Sequence, residues 1–314
     1  MKYYGGIDIG GTKCAAIVGA CDESGSIKVL GRQAFKTEGP AYEMLEKLAA
    51  ALNELKSDLK LESIGISCGS PLDGSRGVIL SPPNLPGWDE IKATDYFTER
   101  FGVPAYLRND ADACALAEYL FGAGVGSNNM AFLTCGTGFG AGLIFGGKLY
   151  RGARDSAGEI GHIRLTDDGP IGYGKAGSFE GYCSGGGIAQ LAAEKAREEI
   201  AAGRAVNFAE ADGTFTAKAV ALAAIGGDEA AMQVMRRAGE SIGRACALLV
   251  DLLNLDRIVI GSIYARNENM LAPIVRAVIE RECLPLNAAC CEVVAASLGD
   301  SVGDLAALAT AIQE

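Results

Sequence analysis

The stretch Asp8-Ile-Gly-Gly-Thr-Lys13 sets a carboxylate just before a glycine pair and a threonine. Glycines let the backbone close on a ligand, and successive N–H groups can converge on an anion. Asp8 is a hard oxygen ligand of the kind Mg2+ takes beside a polyphosphate. Taken alone, the same residues would also make a tight hairpin with a solvated aspartate. A second stretch, Thr134-Cys-Gly-Thr-Gly-Phe-Gly-Ala-Gly142, has the same character. Its Gly136, Gly138, Gly140 and Gly142 recur at period two, which clears one face of a strand. Two such clearances facing one cleft suit the phosphates of a nucleotide.

Other residues could handle a hydroxyl-rich substrate. Asn109 and Asp110 precede a helical pattern, and both are good N-cap types. Asp110 is equally a carboxylate able to take a proton from a hydroxyl. Glu159 and His162 are three apart, so one helical turn places them on one face. His162 is the single histidine. Glu180 adds a carboxylate, and Asn84, in Pro-Asn-Leu-Pro-Gly-Trp88, is either a ligand or a turn residue. Two further matches carry little. Gly172-x-Gly174-x-x-Gly177 fits a dinucleotide pattern but opens no clear βαβ unit. Gly169 to Lys175 approaches a P-loop, but Ala176 lacks the metal-binding hydroxyl and no strand precedes it.

These residues need elements to position them. Residues 3–9, 13–20 and 27–35 read as strands, and 41–59 as a helix with Met44, Leu45, Leu48, Leu52 and Leu55 at helical spacing. A strand is expected at 64–68, loops and short hairpins over 69–88, a strand at 103–108 and a helix at 110–121. A second round starts with strands 130–135 and 140–145, joined by Gly136-Thr137-Gly138. An irregular glycine-rich region over 152–187 precedes helices at 188–202, 215–225 and 228–253. Strand 258–260, helix 267–281, strand 291–295 and helix 301–312 close the chain. Repetition of a hairpin-plus-helix half predicts two α/β lobes facing a cleft, with a hinge between them.

Composition narrows the function classes. The 314 residues carry a formal net charge of −11, which disfavours broad binding to nucleic acid or anionic lipid. The 10 cysteines form no Cys-x-x-Cys pair, and most lie in apolar runs. No apolar stretch reaches membrane-spanning length and no signal peptide is read, so a cytoplasmic protein with reduced thiols is expected.

The ordered set Asp8-Ile-Gly-Gly-Thr-Lys13, Asn109-Asp110-Ala-Asp112, Gly136-Thr137-Gly138-Phe-Gly140 and Gly158-Glu-Ile-Gly-His162 resembles the ROK family of sugar kinases, from residue 5 to about 313. The resemblance implies an α/β, two-lobed actin-like ATPase (ribonuclease H-like) fold with duplicated mixed-sheet domains, a hinge and a central cleft. It puts a small lobe at 1–109, closed by a helix at about 300–314, and a large lobe at 110–299. It implies phosphoryl transfer from ATP with Mg2+ to a hexose or N-acetylhexosamine. Glucose and its 6-hydroxyl are favoured, and N-acetylmannosamine or N-acetylglucosamine are the alternatives. Asp110 becomes the general base. Ser70, Asn84, Asn109, Asp110, Glu159, His162 and Glu180 become sugar-binding residues. Asp8, Gly10, Gly11, Thr12, Lys13, Gly136, Thr137, Gly138 and Gly261 become the nucleotide site, with Asp8 near Mg2+. A homodimer or homotetramer is implied.

The chain also departs from the family. The family's zinc site would use His162 and three cysteines, but Ile171, Tyr173 and Ser178 stand in the cysteine places. Isoleucine cannot ligate, so no structural zinc is expected, and packing of Tyr173 and Phe179 is expected to hold the loop. Ser70 replaces a usual glycine in the first sugar loop. Gly261-Ser262-Ile263 replaces a Gly-Gly-Gly run, which puts the fit of adenine in question. Two other classes compete with this reading. A sugar-responsive regulator would carry an N-terminal helix-turn-helix module, for which Asp8 leaves no room. A catalytically silent sugar-binding protein is disfavoured by retention of Asp8, Asn109, Asp110, Glu159 and His162.

Overall fold

The computed structural model describes residues 1–313, apart from the side chain of Asp300. The last residue of the helix expected at about 300–314 therefore lies outside the described residues. In chain order the strands are β1 (Lys2–Ile9), β2 (Lys13–Cys21), β3 (Ile27–Lys36), β4 (Leu61–Cys68), β5 (Leu72–Asp73), β6 (Val78–Ile79), β7 (Ile91–Lys92), β8 (Ala105–Asn109), β9 (Met130–Cys135), β10 (Phe139–Phe145), β11 (Lys148–Tyr150), β12 (Ile171–Gly172), β13 (Lys175–Ala176), β14 (Arg257–Ile260) and β15 (Glu292–Ala295). The helices are α1 (Ala41–Lys56), α2 (Ala93–Phe101), α3 (Asp110–Phe121), α4 (Phe179–Cys183), α5 (Gly185–Ala201), α6 (Ala217–Ile225), α7 (Glu229–Leu253), α8 (Ser262–Arg266), α9 (Glu268–Glu282), α10 (Pro285–Cys290) and α11 (Val302–Ile312). The chain divides into two compact units. One comprises 1–127, 142–157 and 297–314, and the other 128–141 and 158–296. The boundary expected at 109/110 falls inside the first unit.

In the first unit the sheet order is β3-β2-β1-β4-β8. The β1–β2 and β2–β3 pairs are antiparallel, while β4 runs parallel to β1 and β8 parallel to β4. Burial on both faces follows from β2. Cys14, Ala16 and Val18 join the core with Met44, Leu45, Leu48 and Leu52 of α1 and Phe97 of α2. The alternate residues Ala15 and Ile17 pack with Ala307, Leu308 and Ala311 of α11. A strand covered on both sides is apolar throughout, because its side chains alternate between two buried faces. A smaller antiparallel sheet, β5-β6-β7, has β5 and β6 in the 69–88 region read as loops and short hairpins and β7 just beyond it.

In the second unit β9 and β15 flank β14, and both pair with it in parallel. Helix α7 is the spine of this unit, with Ile242, Cys246, Leu249 and Val250 buried along one stripe. The short β12–β13 hairpin precedes α4.

The expected elements at 110–121 and 130–135 match α3 and β9 to the residue. Differences elsewhere have local causes. The first helix stops at Lys56, because Ser57 adopts φ 46, a left-handed value. Helix α5 begins at Gly185, inside the stretch read as irregular. The side chain of Ser184 accepts from Gly187 N–H and starts the helix despite three glycines. Helices α2, α4, α8 and α10 were not anticipated; α4, α8 and α10 are too short to show a helical period.

Candidate active site

In the first unit, β1 ends at Ile9 and the hairpin turn Gly10–Thr12 leads into β2. Gly10 N–H donates to Lys13 C=O at 3.1 Å. The turn is held from outside by Thr37, whose Oγ1 donates to Gly10 C=O at 2.6 Å and whose N–H donates to Thr12 C=O at 3.0 Å. Nothing in the sequence pattern marked Thr37. Gly11 must be glycine, because a Cβ there would lie 2.6 Å from the Asn84 carbonyl oxygen. The Asn84 amide also stands beside Gly69, where a Cβ would be 3.4 Å from its Oδ1. The turn at 10–12, the 69–70 loop and Asn84 are thus brought together, with Asn84 and Ser70 exposed.

Asp8 is half-buried at the end of β1. Burial and the charge of Asp304 push its carboxyl up to about 6, against the pull of Lys13 and Arg32. Asp110 also acts on it electrostatically. Asn109 ends β8 and caps α3, its side chain accepting from Asp112 N–H at 2.8 Å. Asp110 is the first residue of α3. The residue is exposed as a whole, yet protein atoms crowd its carboxyl, and lost solvation raises it above the ordinary range. The backbone N–H of Ala111 opposes that rise. A carboxylate raised this way accepts protons more readily at neutral pH.

In the second unit, the turn 136–138 is closed more tightly than the first, with Gly136 N–H donating to Gly138 C=O at 3.1 Å, two residues on rather than three. Glu180, in α4, faces this turn, where Phe139 N–H donates to its Oε2 at 3.1 Å. A Cβ on Gly138 would be 2.9 Å from that oxygen. Glu159 and His162 are both exposed and lie at one turn, which is 3-10 rather than α. Glu159 is the residue just before that turn, and its C=O accepts from His162 N–H at 3.1 Å. This turn packs against α4, with Gly161 next to Glu180. Three of the expected sugar-binding residues therefore cluster beside the second glycine turn.

Gly261 N–H donates to Leu133 C=O at 2.9 Å, which sets the start of α8 beside β9. Ser262 adopts φ 52, in the left-handed region that glycine fills without strain. A Cβ on Gly136 would be 3.3 Å from Ser262 Oγ. Gly185 N–H donates to Gly136 C=O at 2.8 Å, bringing the start of α5 to the same turn. The Ser184-Gly-Gly-Gly187 run was the available signal for it.

The family's zinc can be tested against what these residues do. Gln190 clamps Ile171, accepting from its N–H and donating to its C=O, each at 2.9 Å. Ser178 is fully buried and its hydroxyl caps α4 through Gly181 N–H. Tyr173 is 72% exposed and touches the His162 ring edge-on at 6.3 Å between centroids. A main-chain clamp, a helix cap and a solvent-facing phenol are not a tetrahedral zinc set. The expectation that Tyr173 packs to hold the loop is corrected. Only Phe179 is buried, while Gln190, Arg164 on the Ala176 and Asp167 carbonyls, and the Thr166–Tyr182 hydroxyl pair fasten the loop. Burial also pushes the Cys135 thiol up to about 12, so it serves as a small hydrophobe. No helix among the described residues is long and apolar enough to cross a membrane.

Known proteins resemble this chain along nearly all of its length. The model of the ROK family matches residues 4–314. A glucokinase from Halalkalibacterium halodurans is 32% identical, over 96% of this chain and 92% of its own. An N-acetylmannosamine kinase from Escherichia coli is 34% identical, over 85% of this chain and 84% of its own. The crystal structure of a ROK family glucokinase from Streptomyces griseus, in complex with glucose and AMPPNP, superposes with a TM-score of 0.76 at 31% identity, covering 99% of this chain and all of that one. The mixed sheets are those of the actin-like ATPase superfamily. With residues 4–314 matched, the chain belongs to the ROK family and is a sugar kinase.

Proposed function

We propose that the protein transfers the γ-phosphoryl group of ATP to the 6-hydroxyl of a hexose, glucose first, with Asp110 as general base. The carrying observation is the place of Asp110, a carboxylate on the first residue of α3 directly after Asn109, which caps that helix; the crowding that raises its proton affinity supports the role. In this reading Asp110 takes the hydroxyl proton as the sugar oxygen attacks the γ-phosphorus. The bond to the β-phosphate breaks and ADP leaves. Such transfer depends mainly on positioning and charge neutralisation. Mg2+, carried with ATP, supplies part of that neutralisation. Asp8 would hold it, and Gly10–Lys13, Gly136–Gly138 and Gly261 would receive the nucleotide. Ser70, Asn84, Asn109, Glu159, His162 and Glu180 would bond the sugar hydroxyls. Unpaired, these polar groups would penalise a sugar lacking the matching hydroxyl.

The glucokinase relatives support glucose. The N-acetylmannosamine kinase relative supports an N-acetylhexosamine as the second reading. Ile171, Tyr173 and Ser178 support a zinc-free enzyme. The cysteine usage and net charge support a cytoplasmic enzyme that engages neither nucleic acid nor membrane, and the family resemblance supports a homodimer or homotetramer.

Coupled ADP release across glucose, mannose, fructose, allose, N-acetylmannosamine and N-acetylglucosamine tests the substrate. Asp110→Asn tests the base. It should keep sugar binding by calorimetry and lose about 10²–10⁴-fold in kcat. Unchanged kcat would remove Asp110 from that role.

A further inference from the structure

Asn109 does more than cap α3. Its Oδ1 accepts from Asp112 N–H at 2.8 Å, and its Nδ2 donates to Asp112 Oδ2 at 3.0 Å. The first bond is all that a helix cap requires. The second demands a carboxylate in the interior, where Asp112 is 2% exposed and Asn109 is 6% exposed. Burying a carboxylate is costly, and its Oδ1 has no hydrogen-bond partner among the described residues. A site selected for stability alone would hold a neutral residue at 112. The pair of bonds has one geometric result. An N–H can meet only the amide oxygen, and a carboxylate only the amide nitrogen, so the two sides of Asn109 cannot exchange. One Nδ2 hydrogen and one Oδ1 lone pair are left over, in known places, one residue before Asp110.

We propose that Asp112 is a positioning residue for sugar binding, its carboxylate fixing the rotation of the Asn109 amide so that the remaining donor and acceptor meet substrate hydroxyls. This rests on the reading of Asn109 as a sugar-contacting residue. Burial pushes the Asp112 carboxyl up to about 7. The charges facing it are Arg108 and Arg151, which lower it, and Asp155 and Asp110, which raise it. Protonation replaces the anionic acceptor with a weaker one, so the hold on Asn109 slackens at low pH.

The test is steady-state kinetics with glucose, or with N-acetylmannosamine if that sugar is the one turned over. Asp112→Ala should raise the sugar KM about tenfold, the scale of one lost orienting hydrogen bond, with kcat and the ATP KM little changed. Asp112→Asn should recover part of the loss, with a KM that does not change with pH, since its Oδ1 accepts the same bond as a neutral group. Asn109→Ser keeps a capping oxygen but removes the amide, and should raise the sugar KM itself. In that background Asp112→Ala should add nothing. A full additional effect in the Asn109→Ser background overturns the proposal. So does a wild-type KM in Asp112→Ala while Asn109→Ser is impaired. A wild-type KM in Asn109→Ser overturns instead the assignment of Asn109, and the proposal with it. If Asp112→Ala does not fold, the pH dependence decides. The wild-type sugar KM should rise as pH falls through about 7 and that of Asp112→Asn should not, and two parallel profiles overturn the proposal.

Discussion

Glu118→Gln should destabilise the protein by an amount that can be worked out from the contacts. Glu118 is fully buried near the end of α3. Its Oε2 accepts from Ala123 N–H at 2.8 Å and from Ser297 N–H at 3.3 Å, and its Oε1 from Leu298 N–H at 3.0 Å. One carboxylate thus fastens the loop after α3 to the segment leading into α11, within the first unit. Glutamine has nearly the same shape but only one acceptor oxygen. Its NH2 must face a backbone N–H in either orientation. The cheaper orientation keeps Ala123 and Ser297 and orphans Leu298 N–H. An orphaned buried donor costs about 1–3 kcal/mol, and loss of the charge weakens the two surviving bonds by roughly 1 kcal/mol together. The sum is about 2–4 kcal/mol. For a unit of this size that lowers Tm by roughly 4–16 °C. Scanning calorimetry and urea unfolding followed by circular dichroism both read it. Activity at 25 °C should stay within a few-fold of wild type, because Asp110 lies at the other end of α3. A stability loss under about 0.5 kcal/mol would refute the reasoning, since the three N–H groups would then be satisfied without the carboxylate.

Other expectations are independent of that one. The folded Asp112 carboxyl is raised from 3.8 to about 7, so its contribution to stability is fully present below about pH 4 and lost as pH rises through 7. Asp112→Asn should therefore be more stable than wild type at pH 8, with the difference vanishing near pH 4; pH-dependent urea midpoints read this, and a constant gap would count against it. Gly11→Ala should displace Asn84 and cut kcat/KM by about tenfold or more, because the new Cβ would sit 2.6 Å from a main-chain oxygen. A variant with wild-type kinetics would show that this approach does not matter. Purified protein should contain far less than one zinc per chain by elemental analysis, and about one zinc per chain would reject the reading of Ile171, Tyr173 and Ser178.

Local chemistry made part of this protein legible in its sequence. The glycine turns at 10–12 and 136–138 announce themselves, because few other residues allow such backbone approach. The start of α3 was readable from Asn109, whose amide caps the helix as its residue type predicts. The strands β1, β2 and β9 were readable from apolar runs bounded by turns. Elements with short or glycine-diluted patterns, such as α2, α8 and the start of α5, were not. Their signal is weaker than the packing that holds them.

By itself, then, the sequence determined where the chain turns, which segments are apolar, and which ordered residue types mark a sugar kinase. Only the tertiary structure decided which partners those residues take. It set Glu180 against the turn at Gly138, gave Asn84 to Gly11, and matched the Asn109 amide with the Asp112 carboxylate. It showed the Ile171 loop tied by Gln190 where Tyr173 packing had been expected. The division has a physical reason. Turns and caps depend on the conformational limits of a few adjacent residues. A buried carboxylate's partners depend on which distant backbone groups arrive unsatisfied beside it, and only the folded chain fixes that.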